Sequence, residues 1–310
     1  DTDFTAIGAA NNNLGTVFTA TGAGSGTGTA SPNTTSNTAN GHQALYSNTT
    51  GLLNTAVGRD AMYTNTIGSS NTAVGYQSLY TTTAHKNTAI GAYALYASTG
   101  SNNVATGYMS LYTNSSGTSN VATGYKALYL NTTGVSNIAT GTFALGTNDD
   151  GDNNTAVGYQ ALRYNEDASN NTAVGYNSLY ANTTGASNTA IGSSALFANI
   201  TGSYNVAMGK ALYNNTSANN NTATGYQALH YNTTAPSNTA NGYRALFANT
   251  TGASNVAIGY EALKSGQTYT AGDFAVGVTF VIATVGTTDF TAIGATENTV
   301  GVSFVSTGLG

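Results

Sequence analysis

The chain has 310 residues, of which 6% are charged and 40% are hydrophobic, with 38 Gly, 2 Pro and no Cys. A net charge of -5 with 7 Lys+Arg provides no basic patch to neutralise phosphates, which excludes nucleic acid as a partner. There are no cysteines for disulfides or thiolate metal sites, and no apolar run of about 20 residues long enough to cross a bilayer as a helix.

Residues 1–30 read as a small β module with a Gly-rich link. From Thr2 to Gly24 the chain alternates apolar and small polar residues, favours Thr, Val and Phe, and is cut by glycines. It is read as part of a longer protein, because it lacks a starting Met and a basic-then-apolar leader.

Residues 31–266 are an array. The phrase N-T-A-x-G recurs with its glycine at Gly41, Gly58, Gly75, Gly91, Gly107, Gly124, Gly141, Gly158, Gly175, Gly192, Gly209, Gly225, Gly242 and Gly259, spaced by 17 residues with three spacings of 16. A short fixed period marks a solenoid, in which one unit cannot bury its own apolar face and stacking supplies a continuous core. The expected fold is therefore all-β: a β-solenoid of about fourteen 17-residue coils flanked by small β modules. At the strand spacing of about 4.8 Å, such an array would be about 65–70 Å long.

Counting from the glycine as position 0, each place in the coil has its own chemistry. Position -4 is always Asn, including Asn54, Asn71, Asn188 and Asn255, and is read as a side-chain amide ladder. Position -2 is always Ala, as at Ala56 and Ala190, a site with room for one methyl group. Position +4 is the core ladder of Leu79, Leu196 and Leu246, with Met62 the exception and Leu212 shifted to +3, and the residue before it is a small Ala or Ser. If residues +3 and +4 lie on one strand, they point to opposite faces, so two size-restricted neighbours imply a second chain covering the outer face. The spacing of Tyr76, Leu79 and Tyr80 also suits one helical turn. Of these two geometries the strand is preferred.

Aromatic residues recur at +5 and tyrosine at +1. Stacked rings stabilise by packing, and exposed rings offer platforms for sugars, for which Tyr76, Tyr159, Tyr176, Tyr226 and Tyr260 are the candidates. The closing N-T-T-G, as in Asn48 to Gly51, reads as turn chemistry suited to left-handed backbone.

Residues 267–310 form a β module that repeats the first: Thr288 begins the same phrase as Thr2, an offset of 286 residues. Module, array, module reads as one period of a longer fibre, with two end-caps on a single array as the alternative.

Little here suggests chemistry. His42, His85 and His230 occupy unrelated positions in distant repeats, and no nucleophile has a base near it, so the chain is not read as an enzyme. Asp149, Asp150 and Asp152 surround a glycine turn that would suit Ca2+, but a bidentate Glu at the required distance is missing, and a solvated acidic turn is the preferred reading. No other cofactor is expected.

The phrase from Asn154 to Leu162, N-T-A-V-G-Y-Q-A-L, and its variants at Asn188–Leu196 and Asn221–Leu229 resemble arrays in phage tail-fibre-like proteins. They are also similar to the S-x-A-I-G-x-x-A coils of trimeric autotransporter adhesin heads, which repeat at a shorter period. The resemblance implies a homotrimeric fibre or adhesin segment, extracellular on a cell surface or virion. Its partners would be itself and cell-surface glycans, with no membrane insertion. A filament joined head to tail through the end modules is an alternative. So is an ice- or mineral-binding solenoid presenting paired threonines.

Overall fold

A computed structural model describes residues 37–264 together with the backbone of three strands, 18–21, 279–281 and 303–305. The two flanking modules otherwise lie outside the described residues. The architecture is an all-β solenoid of about thirteen turns, the complete coils between Gly41 and Gly259. Among the described residues none is helical.

One parallel sheet of fifteen strands runs the length of the array, with every repeat contributing its N-T-A-x segment. The register is uniform: Thr55, Ala56 and Val57 pair with Thr72, Ala73 and Val74, and the next coils follow suit. The sheet begins before the first phrase, because Phe18–Thr21 pairs in parallel with Asn37–Asn40. A second parallel sheet of four short strands, Thr81–Thr82, Ala97–Ser98, Thr113–Asn114 and Leu130–Asn131, covers another side of the middle coils. Thr279–Val281 pairs antiparallel with Ser303–Val305.

The strands are short because the glycine ends them. Gly75 has φ +134, and a Cβ there would lie 2.6 Å from the carbonyl of Gly91 in the next coil. Both the conformation and the close approach therefore demand glycine.

After the glycine the chain forms neither the preferred strand nor the helical turn. It makes two successive tight turns, with Gln77 (φ 50) and Leu79 (φ 48) in the left-handed region. The Ser78 N–H donates to the Gly75 carbonyl at 3.4 Å and closes the first turn. This reversal turns both Ser78 and Leu79 into the interior, where each is fully buried. The chain's own coils thus enclose both residues, and their adjacency no longer requires a second chain over the outer face.

Left-handed backbone costs an L-residue about 1–2 kcal/mol. Burying a leucine side chain contributes about 1.5–3 kcal/mol, enough to offset that cost. The Leu79 N–H also donates to the Ala94 carbonyl at 2.9 Å. Position +4 is Leu or Met in every coil but that of Gly209, where Leu212 at +3 takes the place, and it is never Val or Ile, although both are frequent in the strands. A β-branched side chain is the worst choice for positive φ.

Two buried asparagine ladders complete the interior. At -4, the Asn54 side chain donates from Nδ2 to the Gly68 carbonyl at 2.8 Å and accepts from the Asn71 N–H at 3.0 Å. It bridges main chain to main chain, so the amide-to-amide ladder expected there is seen only where Asn205 Nδ2 reaches Asn188 and Asn255 Nδ2 reaches Asn238. The amide chain runs at +7 instead. Asn65 Nδ2 donates to Asn48 Oδ1 at 3.1 Å and to the Gly68 carbonyl at 3.0 Å. The N-T-T-G asparagine is therefore an interior rung and not a left-handed turn residue. Its glycine is required by space, since a Cβ on Gly51 would sit 2.2 Å from the Gly68 carbonyl oxygen. Ser70, Asn102 and Ser119, just before the next phrase, hold the third left-handed position of their coils.

Candidate functional site: the aromatic face and its break

The interior residues singled out in the sequence line the buried ladders. Asn54, Asn71, Asn188, Ala56, Ala190, Leu79 and Leu196 are fully enclosed, Leu246 is nearly so, and Asn255 in the last phrase is half-buried. They hold the coils in register, and all but Asn255 are inaccessible to a ligand.

The outer surface beyond the glycine is aromatic. At +5 a stack runs Tyr46, Tyr63, Tyr80, Tyr96, Tyr112, Tyr129, with centroids 5.1–5.4 Å apart and planes within 18°. It resumes as Tyr180, Phe197, Tyr213, His230, Phe247 at 5.0–5.4 Å, with Tyr213 at +4 of a coil one residue shorter. The coil spacing imposes this distance, which leaves the rings stacked in an offset manner. Partial burial raises the Tyr80 and Tyr112 hydroxyls above the usual phenol range, and neighbouring tyrosines add to the effect.

His230 was missed as a rung because its type breaks the aromatic pattern of the sequence. Its ring nonetheless stacks between Tyr213 and Phe247. Burial holds its pKa below the ordinary imidazole value, with Lys210 and Arg244 acting in the same direction.

The +1 tyrosines form a second, more open row. Tyr76, Tyr159, Tyr176, Tyr226 and Tyr260 are all exposed, from 37% at Tyr76 to 76% at Tyr260. Their rings pair along the axis: Tyr159 with Tyr176 at 5.3 Å, and Tyr226 through Tyr243 to Tyr260 at 5.8 and 5.1 Å. Tyr93, at +2, lies between the two rows and touches Tyr76, Tyr96, Tyr108 and Tyr112.

One place interrupts the +5 stack. Between Tyr129 and Tyr180 the two rungs are Gly146 and Arg163. The Arg163 guanidinium lies 4.1 Å from the centroid of Phe143 and 5.3 Å from that of Tyr164. Lys126 approaches the same Phe143 ring at 5.8 Å, and Tyr129 at 5.0 Å. The Tyr164 hydroxyl is pulled below its usual range by the hydrogen bond with Tyr180 and then by Arg163, while that same bond pushes Tyr180 up.

The acidic turn is on another edge of the same coils. Asp150 accepts from the Thr133 hydroxyl, and Asp152 Oδ1 accepts from the Val135 N–H at 2.6 Å. The Asp149 carbonyl serves the Thr132, Thr133 and Gly134 N–H groups. Two of the three carboxylates thus bind the neighbouring coil, and among the described residues no cluster of acidic or His side chains is arranged to hold a metal ion.

The paired threonines are similarly occupied. Thr49, Thr132, Thr183 and Thr216 each donate the hydroxyl to a carbonyl of the next coil. This leaves fewer free hydroxyls on that edge than a regular threonine lattice would present.

The strand face provides the remaining broad surface. Its outward positions, -3 and -1, carry no charged residue in any of the fourteen phrases. Val74, Ile90, Val104, Ile138, Val157, Ile191 and Met208 are exposed along it.

These features define a single-chain β-solenoid with an inert interior and an aromatic, nearly uncharged exterior. Comparisons with family models, with curated proteins and with solved structures gave no match for this chain.

Proposed function

We propose that this solenoid is a stiff segment of an extracellular fibre, of the phage tail-fibre or bacterial surface-adhesin kind, whose outer faces adhere to glycans. The observation that carries this reading is the open row of +1 tyrosines, repeated at the coil spacing on a rod whose interior is fully used for stacking. Rings held about 5 Å apart by the backbone present pre-organised faces for sugar rings with little ordering cost. The segment's role is mechanical and adhesive, and we propose no catalysis.

The homotrimer belongs to the same proposal, with its contact at the strand face and no longer at Ala and Leu. Fourteen strands at about 4.8 Å, on a face about 10 Å wide, give roughly 650 Å² per copy, close to the ~800 Å² per partner of a standard interface. An uncharged, β-branched surface of that size suits burial against another copy of itself.

Two measurements test the proposal. Light scattering of the chain should give a mass of three chains, reduced to one by Val157→Lys with Ile191→Lys; a wild-type monomer would remove the trimer. Binding to immobilised neutral oligosaccharides should weaken in a Tyr159→Ala, Tyr176→Ala double variant. Unchanged binding there would remove the tyrosine row as the adhesive element.

A further inference from the structure

The break in the aromatic stack has features that packing does not explain. Nearly every glycine in the described coils is demanded by its backbone: it is left-handed, or a Cβ there would collide with the next coil. Gly146 is the exception. It has no left-handed φ, and a Cβ there would meet nothing closer than the Phe143 carbonyl oxygen at 3.3 Å and the Arg163 carbonyl oxygen at 3.5 Å. A side chain there asks the neighbouring backbone to give by only a few tenths of an ångström, far less than at most of the other glycines, and the absence of a ring leaves the rung between Tyr129 and Arg163 without an aromatic.

Two cations border that gap, in a chain whose net charge is -5. Lys126 and Arg163 both face the Phe143 ring, at 5.8 and 4.1 Å. The carboxylates that form ion pairs among the described residues, Asp60 and Glu261, lie in other coils and serve other cations. Arg163 also has two guanidinium nitrogens, Nε and Nη1, shielded from solvent and without a hydrogen-bond partner. Unsatisfied charged donors beside a second cation form an unfavourable arrangement that an anion would relieve. Exposed rings accompany the cations, Tyr125 at 5.6 Å from Lys126 and Tyr164 at 5.3 Å from Arg163, with Tyr159 exposed in the same coil as Arg163.

We propose that the coils of Gly124, Gly141 and Gly158 form a subsite for a carboxylated sugar residue, a uronate or sialate, within the glycan-adhesive reading on which this inference rests. The carboxylate accepts from Arg163 and Lys126, and the sugar ring packs on the tyrosine faces at the vacated rung. Elsewhere the tyrosine row offers ring faces to neutral sugars. Here the same row gains charge selectivity.

The test is calorimetric titration of the full chain with an oligogalacturonate and with its carboxyl-reduced, neutral counterpart. The acidic oligomer should bind about tenfold more tightly at low salt, as a charge-assisted contact would give, and the preference should fall as salt rises. Arg163→Gln and Lys126→Gln should each reduce the preference while leaving affinity for the neutral oligomer unchanged. Gly146→Tyr keeps both cations but fills the rung, and should also abolish the preference; a merely general charge attraction would survive it. Thermal melts by circular dichroism check that each variant is folded. Equal affinity of the wild-type chain for the two oligomers, or a preference that survives all three substitutions, would overturn the subsite and leave the glycan reading standing. Binding of neither oligomer would remove both.

Discussion

The coils of Gly175 and Gly192 and those of Gly141 and Gly158 have the same interior and different exteriors. In all four, asparagine, alanine and leucine fill the buried ladders, and the glycine takes φ between +124 and +136. Outside, the first pair carries Tyr180 and Phe197 in an unbroken stack. The second pair substitutes Gly146 and Arg163, and has Asp149, Asp150, Glu166 and Asp167 on the far edge where the first has Thr183, Thr184, Ile200 and Thr201. Every inner residue must match the copy above and below, so one change breaks two contacts. Outer residues face water on one side and are free to vary, and variation there is where recognition can enter.

Substitutions that violate the inner rules should have the largest effects. Gly175→Val combines a φ of +136 with a Cβ 2.5 Å from the Gly192 carbonyl oxygen. It is expected to cost about 4 kcal/mol or more, read by denaturant melts and as loss of amide protection in the adjoining coils. Protection unchanged on both sides of the substitution would contradict the steric argument.

Next in size, Leu179→Ala should destabilise by about 3 kcal/mol through the cavity it leaves. The more informative change is Leu179→Ile, which keeps volume but places a β-branched residue at φ 49. A cost of about 2 kcal/mol is expected, above the usual range for an isomeric core swap. A near-neutral result would mean that the left-handed turn can relax.

Asn165→Ala removes the donor to Asn148 Oδ1 and to the Ala168 carbonyl, both at 2.8 Å. The Ala168 carbonyl keeps its bond from Asn154 Nδ2, but Asn148 Oδ1 loses the donor and Asn182 Nδ2 loses the acceptor Asn165 Oδ1, which should cost about 2 kcal/mol, measurable by the same melts. Tyr176→Ala, by contrast, should change stability by less than about 0.5 kcal/mol while weakening oligosaccharide binding about fivefold. A large loss of stability would place this ring with the interior instead.

The smallest expected effect is a pH dependence from His230. Its pKa is lowered in the folded stack, so below about pH 6.5 the unfolded chain takes up a proton that the native state resists. The neutral ring's contribution is complete above that pH and is lost as pH falls toward the lowered value. The melting temperature should therefore drop slightly between pH 7.5 and pH 5, and His230→Phe should flatten that part of the profile.

The sequence alone determined the solenoid, the coil boundaries and the buried ladders at -4, -2 and +4, while the asparagine ladder at +7 read as turn chemistry and emerged only in the structure. Invariance at -4, -2 and +4 reflects how little space stacking allows, and that restriction is written directly into residue size. The path between the ladders was decided only by the tertiary structure. Whether Ser78 and Leu79 face opposite ways or together depends on backbone dihedrals, and leucine in the left-handed region is contrary to local preference and is held there by burial from the neighbouring coils. The same holds for the two asparagines of each coil: residue type marks both as hydrogen-bonding, but only the distance to the next coil determines which one bonds amide to amide and which bridges main chain. At the Gly146 break, the sequence shows a missing ring. That Lys126 and Arg163, from the coils on either side, both approach the Phe143 ring follows from stacking residues 17 or more apart, a juxtaposition the coil repeat creates and no local pattern encodes.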